Sequence, residues 1–247
     1  TENGSNRNES PDSTIPNSRS DDLLSWMEIQ RLVDVYFECW SNTIPIFSRK
    51  LFIKQMKAFK TEVDKFGDRL FEVYKTEQIK INFLKIFATV LAVMCQMALL
   101  SRLKQLEATT QELECKRTQN LIAHYNQLIE KIHLDSFFQD MSTTTVQSLQ
   151  LLSFISFYFL NVGDIPRLYQ LRGTVISMAQ QLRLHRCPSA VLLSASGSTM
   201  QKFEQGERRL LFWAIYYLDV FYSLQLGVPR LIKDHEIECA LPVSEEE

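Results

Sequence analysis

The sequence predicts an all-α protein, a multi-helix bundle of packed antiparallel helix pairs behind a disordered N-terminal linker. Three observations lead there. Turn residues are scarce, with seven glycines and seven prolines in 247 residues, whereas sandwiches, barrels and nucleotide-cradling loops use many more. Apolar residues recur in steps of three and four over long stretches, and no segment keeps the alternation of a half-buried strand. Helix-start signatures stand at the heads of several of these stretches. The length allows one large domain or two small ones, with a real core.

Residues 1–22 hold Ile15 as their only large apolar residue. Such a segment cannot bury enough surface to offset its ordering entropy, so it reads as a disordered linker, leaving 23–247 as the helical domain. Asn3-Gly-Ser and Asn8-Glu-Ser match the glycosylation sequon; without a signal peptide they read as accidents of a polar tail. Order begins at Ser25-Trp26-Met27-Glu28, a capping box. The helix it opens carries Ile29, Leu32, Val33, Tyr36 and Phe37, and ends before Ile44-Pro45 because the residue preceding proline avoids helical dihedrals. Ser48 caps the next helix, with Leu51, Phe52, Met56 and Phe59 on its apolar side.

Residues 78–106 form a strongly apolar helix whose uncharged part, Ile86–Ser101, is shorter than the roughly 20 residues that span a bilayer. Thr109-x-x-Glu112 offers a second capping box, opening a more polar helix with Leu113, Leu121, Tyr125, Leu128 and Ile132. Met141–Gly163 carries no charge, yet its Ser, Thr, Gln and Asn residues and its short dense core, Leu149–Leu160, favour a buried helix over a membrane span. Gly163 supplies a left-handed C-cap, and Asp164 with Pro166 starts the following helix. Leu168, Leu171, Val175, Met178 and Leu182 then form one apolar face, which packs back as an αα-hairpin. Cys187–Gly206 reads as a surface linker. Glu207 to about Leu226 is apolar on nearly every helical face, so that helix is expected to be enclosed by others, Trp213 included.

The formal net charge of −2 and a pI near 6.1 argue against this chain gripping nucleic acid, which takes an excess of Lys and Arg on one face. Five cysteines lie far apart, with no CxxC and no zinc-ligand spacing; they read as buried free thiols. No phosphate-binding glycine loop, nucleophile elbow or HxxxH pair occurs. His185-Arg186-Cys187 fits a cationic helix end better than a catalytic pair. Asp219, the one acid within the apolar run, is either a ligand anchor or acid–base group, or a buried carboxylate paired with Arg208, Arg209, Arg230 or Arg172. Tyr216, Tyr217, Phe221 and Tyr222 line a pocket or are core. No cofactor or metal site is expected here, and no catalytic residue.

Three blocks of the chain resemble the central regulatory domain of fungal Zn2Cys6 zinc-cluster transcription factors. They are Tyr36-Phe37 with Ile44-Pro45-Ile46-Phe47; Leu171–Arg186; and Glu207-Arg208-Arg209, Phe212-Trp213, Tyr217, Leu218-Asp219, Ser223, Gly227, Pro229, Asp234, Ile237 and Leu241-Pro242. Val220 and Val228 depart from the family pattern, which often has Arg at both. The wording of Leu226–Pro242 is similar to yeast glucose-responsive repressors of hexose-transporter genes. The resemblance implies a non-enzymatic domain of a nuclear regulator of RNA polymerase II transcription. It implies that DNA and zinc are bound by an N-terminal module outside this chain, which begins at Thr1 and ends on three glutamates as a fragment would. Coregulator proteins and a small-molecule effector are the partners it implies, with no membrane. Arg208, Arg209, Trp213, Asp219, Gly227 and Pro229 are its framework residues. A helical adaptor of a chromatin or kinetochore complex is the alternative on the same fold.

Overall fold

The computed structural model describes residues 24–109, 111–131, 144–191 and 199–242. The linker expected at 1–22, the two sequons and Ile132 lie outside the described residues. Among those described, the secondary structure is helical and no strand occurs.

Helix α1 (Trp26–Cys39) starts on the expected capping box, with Ser25 and Glu28 bonding each other's backbone N–H. It buries Leu32, Val33, Tyr36 and Phe37. Ser48 caps α2 (Arg49–Phe66), and a 3₁₀ turn (Gly67–Arg69) leads to the short α3 (Leu70–Val73). Helix α4 (Gln78–Thr109) is the axis of the bundle, packing on α1, on α5 (Glu112–Lys131) and on α6 (Val146–Val162). At 32 residues, α4 is long and apolar enough to cross a membrane by length and composition, which corrects the shorter reading above. Yet 67% of its most apolar stretch is buried within the protein, so its apolar character is accounted for by helix–helix packing.

The capping box expected at Thr109 does not form. Thr109 is the last residue of α4, and its hydroxyl donates back to the carbonyls of Gln105 and Leu106. The local competition between capping forward and bonding back is won by the preceding helix. Leu113 stands exposed, while Leu121 and Ile129 turn inward. Between α4, α5 and α6, Gln96 donates to Asn126 at 2.6 Å and the Tyr158 hydroxyl reaches the same oxygen at 2.9 Å.

Helix α6 is buried on all sides from Ser148 to Phe159. Tyr36 and Phe47 meet Phe154 edge-on, each with ring centres 5.3 Å away, so the opening segment is anchored on α6. Gly163 (φ 76°) closes α6 in the left-handed region, and Asp164 caps α7 (Ile165–Gln181), completing the predicted hairpin. After α7 the chain turns through Arg183 (φ 54°), where the Leu184 N–H bonds the Ala179 carbonyl.

The linker expected over 187–206 is shorter than read. A short helix α8 covers Pro188–Val191, and α9 begins at Thr199 and runs to Leu226, with Gly206 inside it. A single glycine costs a long helix only about 1 kcal/mol, so it does not stop one. The enclosure expected for this helix is overturned. Leu211, Phe212, Ala214, Ile215, Leu218 and Tyr222 are buried against α6 and α7, but Tyr217, Phe221 and Leu224 are exposed and Trp213 is half-buried. Helix α9 also touches the short α8, but Tyr217, Phe221 and Leu224 stay open to water. Its aromatic residues made it read as core.

Candidate functional site

After α9 the chain reverses at Gly227 (φ 64°) and runs back as an extended strap, residues 228–242, interrupted by a 3₁₀ turn at Asp234–Glu236. Asp219, Trp213 and Asp234 of the signature block take part in the bonds that hold this strap.

Asp219 is 0% exposed and Arg172, from α7, is 6% exposed. The Arg172 Nε and Nη2 donate to Asp219 Oδ1 at 3.2 and 3.0 Å. The other carboxylate oxygen, Oδ2, accepts the backbone N–H of Leu231 at 2.8 Å and of Ile232 at 2.9 Å. Arg172 Nη2 also reaches Ser223 Oγ at 3.1 Å and the Pro229 carbonyl. One buried ion pair thus joins α7, α9 and the strap. Of the four arginines weighed as partners for Asp219, Arg172 is the one used. Both carboxylate oxygens are spent on these donors, which leaves no free acceptor for an acid–base or ligand-anchoring role.

Further out, Arg230 forms a fork on Asp234 at 3.0 and 3.1 Å and donates to the Tyr216 hydroxyl at 2.7 Å. The hydrogen bond from Arg230 holds the Asp234 carboxyl below its usual range. Trp213 Nε1 donates to the Ala240 carbonyl at 2.8 Å, and its ring lies edge-on to Phe212 and Tyr216. The backbone N–H groups of Glu238 and Cys239 both bond the His185 carbonyl, at 2.8 and 3.0 Å, and Arg186 pairs with Glu238. The His185–Cys187 corner is therefore a docking point for the strap. Under the strap lies a mostly apolar cavity of about 190 Å³, bordered by Ile176, Phe212, Ile232 and the half-buried His185.

The arginine pair divides its work. Arg208 is buried and donates to the Leu182 carbonyl at the end of α7; burial draws it below the ordinary arginine value, with Glu204 opposing. Arg209 is half-buried beside Cys239, whose thiol is pushed up by burial against the pull of Arg209. Of the aromatic cluster, Tyr222 is core and its hydroxyl donates to Ser156 on α6 at 2.6 Å, whereas Tyr217 and Phe221 face water. Sequence reasoning missed Ser156 and Gln150, whose spacing carries no local signal, and it placed Glu207 in the signature block without its partner Gln150. None of the five cysteines is in a disulfide, and only Cys95 and Cys239 are buried; Cys39 is exposed, which corrects the uniform burial expected. No group of three His, Cys, Asp or Glu among the described residues is placed to hold a metal ion.

The chain matches the fungal specific transcription factor domain over residues 33–247. It belongs to that family. It is 49% identical over 234 residues to regulatory protein CAT8 of Saccharomyces cerevisiae, covering 94% of this chain and 16% of the relative. It is 23% identical over 212 residues to the transcriptional activator protein acu-15 of Neurospora crassa, covering 86% of this chain and 19% of that one. The domain therefore spans under a fifth of the length of these two relatives. Neither is named as a hexose-transporter-gene repressor, nor as a chromatin or kinetochore component, and the adaptor alternative has no support. No solved structure matches the chain.

Proposed function

We propose that this fungal transcription-factor domain is the regulatory middle of a nuclear zinc-cluster protein controlling RNA polymerase II transcription. The observation that carries the reading is the 49% identity to regulatory protein CAT8 across 94% of the chain. Sequence-specific DNA contact and zinc then belong to a Zn2Cys6 module N-terminal to this region, since the five cysteines here lie far apart and lack zinc-ligand spacing. The near-neutral charge supports a division of labour in which this domain does not grip DNA. Its part is non-enzymatic: it restrains or presents an activation segment, and it holds coregulator proteins or a small-molecule effector. Residues 23–247 act as one helical domain behind a linker at 1–22. Arg208, Arg209, Trp213, Asp219, Gly227 and Pro229 serve as framework, Arg208 tying α9 to the end of α7 and the others setting the strap on both helices.

Two measurements test this. The purified chain, titrated with random and genomic DNA at physiological salt, shows no sequence-selective binding; tight selective binding would refute the division of labour. Fused to an unrelated DNA-binding domain in a yeast reporter, the chain changes transcription, and Asp219→Asn weakens that effect. A fusion with no effect on the reporter would refute the regulatory role.

A further inference from the structure

A second cleft, with no strap residue in its lining, opens between α2, α4, α6 and α9, with a volume of about 870 Å³. Its floor is aromatic. Phe47, Phe52 and Phe87 come from the core, with the Phe52 and Phe87 rings stacked at 5.1 Å, and Phe203 stands half in water on the rim. Such a floor and volume are those of small-molecule sites, which are mainly apolar and take orientation from a few fixed polar groups.

One polar group here is out of keeping with its surroundings. Glu207, half-buried on the α9 wall, receives the Gln150 amide on Oε2 at 3.2 Å. Gln150 is itself buried and also bonds the Ile46 carbonyl at 3.4 Å. Among the described residues no hydrogen bond reaches Glu207 Oε1 and no cation pairs with the carboxylate. The neighbouring Arg208 gives its Nη2 to Leu182 instead. Burial pushes the Glu207 carboxyl up, with the Gln150 bond opposing. A carboxylate in an apolar cleft without a cation is costly, and a donor arriving with a ligand would relieve that cost. Glu204, one turn earlier on the same wall, adds to the negative field. Lys50 and Lys54, on the α2 lip, are exposed and free to reach water.

The geometry points to this cleft as a binding site for a small amphipathic molecule, its apolar body on the phenylalanine floor and a hydrogen-bond-donating head on Glu207. The head is a protonated amine or a hydroxyl, which offer the same donor chemistry to the carboxylate. The inference rests on the regulatory reading only for its meaning: it gives an effector a place and a chemistry. Binding is measured without reference to transcription, so the two fail separately.

The 247-residue chain is titrated calorimetrically with 4-phenylbutylamine, 4-phenylbutan-1-ol and 4-phenylbutanoate, which share one body and differ in the head. The amine binds saturably, about tenfold or more tighter than the carboxylate, with the alcohol between them. Glu207→Gln removes most of the amine's advantage, and Phe203→Ala, a change at the exposed rim, weakens all three. A ranking in which the alcohol ties with the amine assigns the head as a neutral donor and still supports the site. The inference is overturned if phenylbutanoate binds as tightly as the amine, if Glu207→Gln leaves the amine unaffected, or if no compound saturates.

Discussion

Arg172 and Asp219, 47 residues apart in the chain, form an ion pair closed to water, with Arg172 Nε and Nη2 at 3.2 and 3.0 Å from one carboxylate oxygen. Removing one member strands the other in a dry site. Arg172→Leu leaves the carboxylate with only the Leu231 and Ile232 N–H groups; Asp219→Asn leaves the guanidinium without its counter-charge. Each change is expected to lower stability by about 3–5 kcal/mol. The double variant should cost clearly less than the sum of the two, because neither charge is then left alone. Urea denaturation of the four proteins measures this, and a single-variant cost under about 1 kcal/mol would mean that the pair is hydrated.

Phe212 and Trp213 are adjacent and do different jobs. Phe212 is 2% exposed beneath α7, whereas Trp213 lies half-buried under the strap. Phe212→Ala is therefore expected to cost about 3–5 kcal/mol, the range for emptying a closed aromatic site, and Trp213→Ala clearly less. Trp213→Phe keeps an aromatic ring but removes the N–H that holds the Ala240 carbonyl and part of the indole's contact area, at a cost of about 1–2 kcal/mol. It should also speed proteolytic cleavage of the strap. Equal costs for the two alanine variants would restore the fully enclosed helix that periodicity suggested.

The contrast between these neighbours marks what the chain makes legible. Caps are local, and Ser25, Ser48, Gly163 and Asp164 act where their side chains and dihedrals say they should. Helix faces are legible where one stripe is apolar, as on α7. They fail on α9, because an aromatic residue reads the same whether it faces a neighbouring helix or, like Tyr217 and Phe221, faces water. That Asp219 needed a partner followed from its apolar surroundings. Which arginine supplied it depended on how α7 crosses α9, and no spacing encodes that crossing. Glu207 was legible as a signature residue, but its place in the cleft was not, since its partner Gln150 lies 57 residues away.

Glu28 supplies a pH signature. Its Oε2 receives the Ser25 backbone N–H and hydroxyl, each at 2.9 Å, and its Oε1 receives Arg117 at 2.7 Å. The Ser25 backbone bond first, and then Arg117, hold its carboxyl at about 2 against an ordinary 4.5. A depressed carboxyl stabilises the fold above its unfolded value and loses that stabilisation as pH falls through the folded one. The stability of wild type minus that of Glu28→Gln should thus be flat above about pH 5 and shrink steadily below about pH 4.5. The pair faces water, so the whole effect stays within about 1 kcal/mol. Urea midpoints at matched pH values measure it, and a difference that is constant down to about pH 3 would exclude the linkage.

Gly206 and Gly227 separate space from conformation. An added Cβ would meet nothing within 4 Å at either position. Gly206 sits inside α9 with ordinary helical dihedrals, so Gly206→Ala should stabilise the protein by about 0.5–1 kcal/mol, since alanine has less backbone freedom to lose. Gly227 has φ of 64°, where the Cβ of an L-residue crowds its own backbone, so Gly227→Ala should cost about 1–2 kcal/mol despite the open surroundings. Asn, which tolerates this region better, should recover part of that loss. Thermal and urea unfolding of the three variants check the opposite signs. If Gly227→Ala stabilised as Gly206→Ala does, the reversal that starts the strap would not need a left-handed residue, and the route of the chain from α9 back to Asp219 would have to be redrawn.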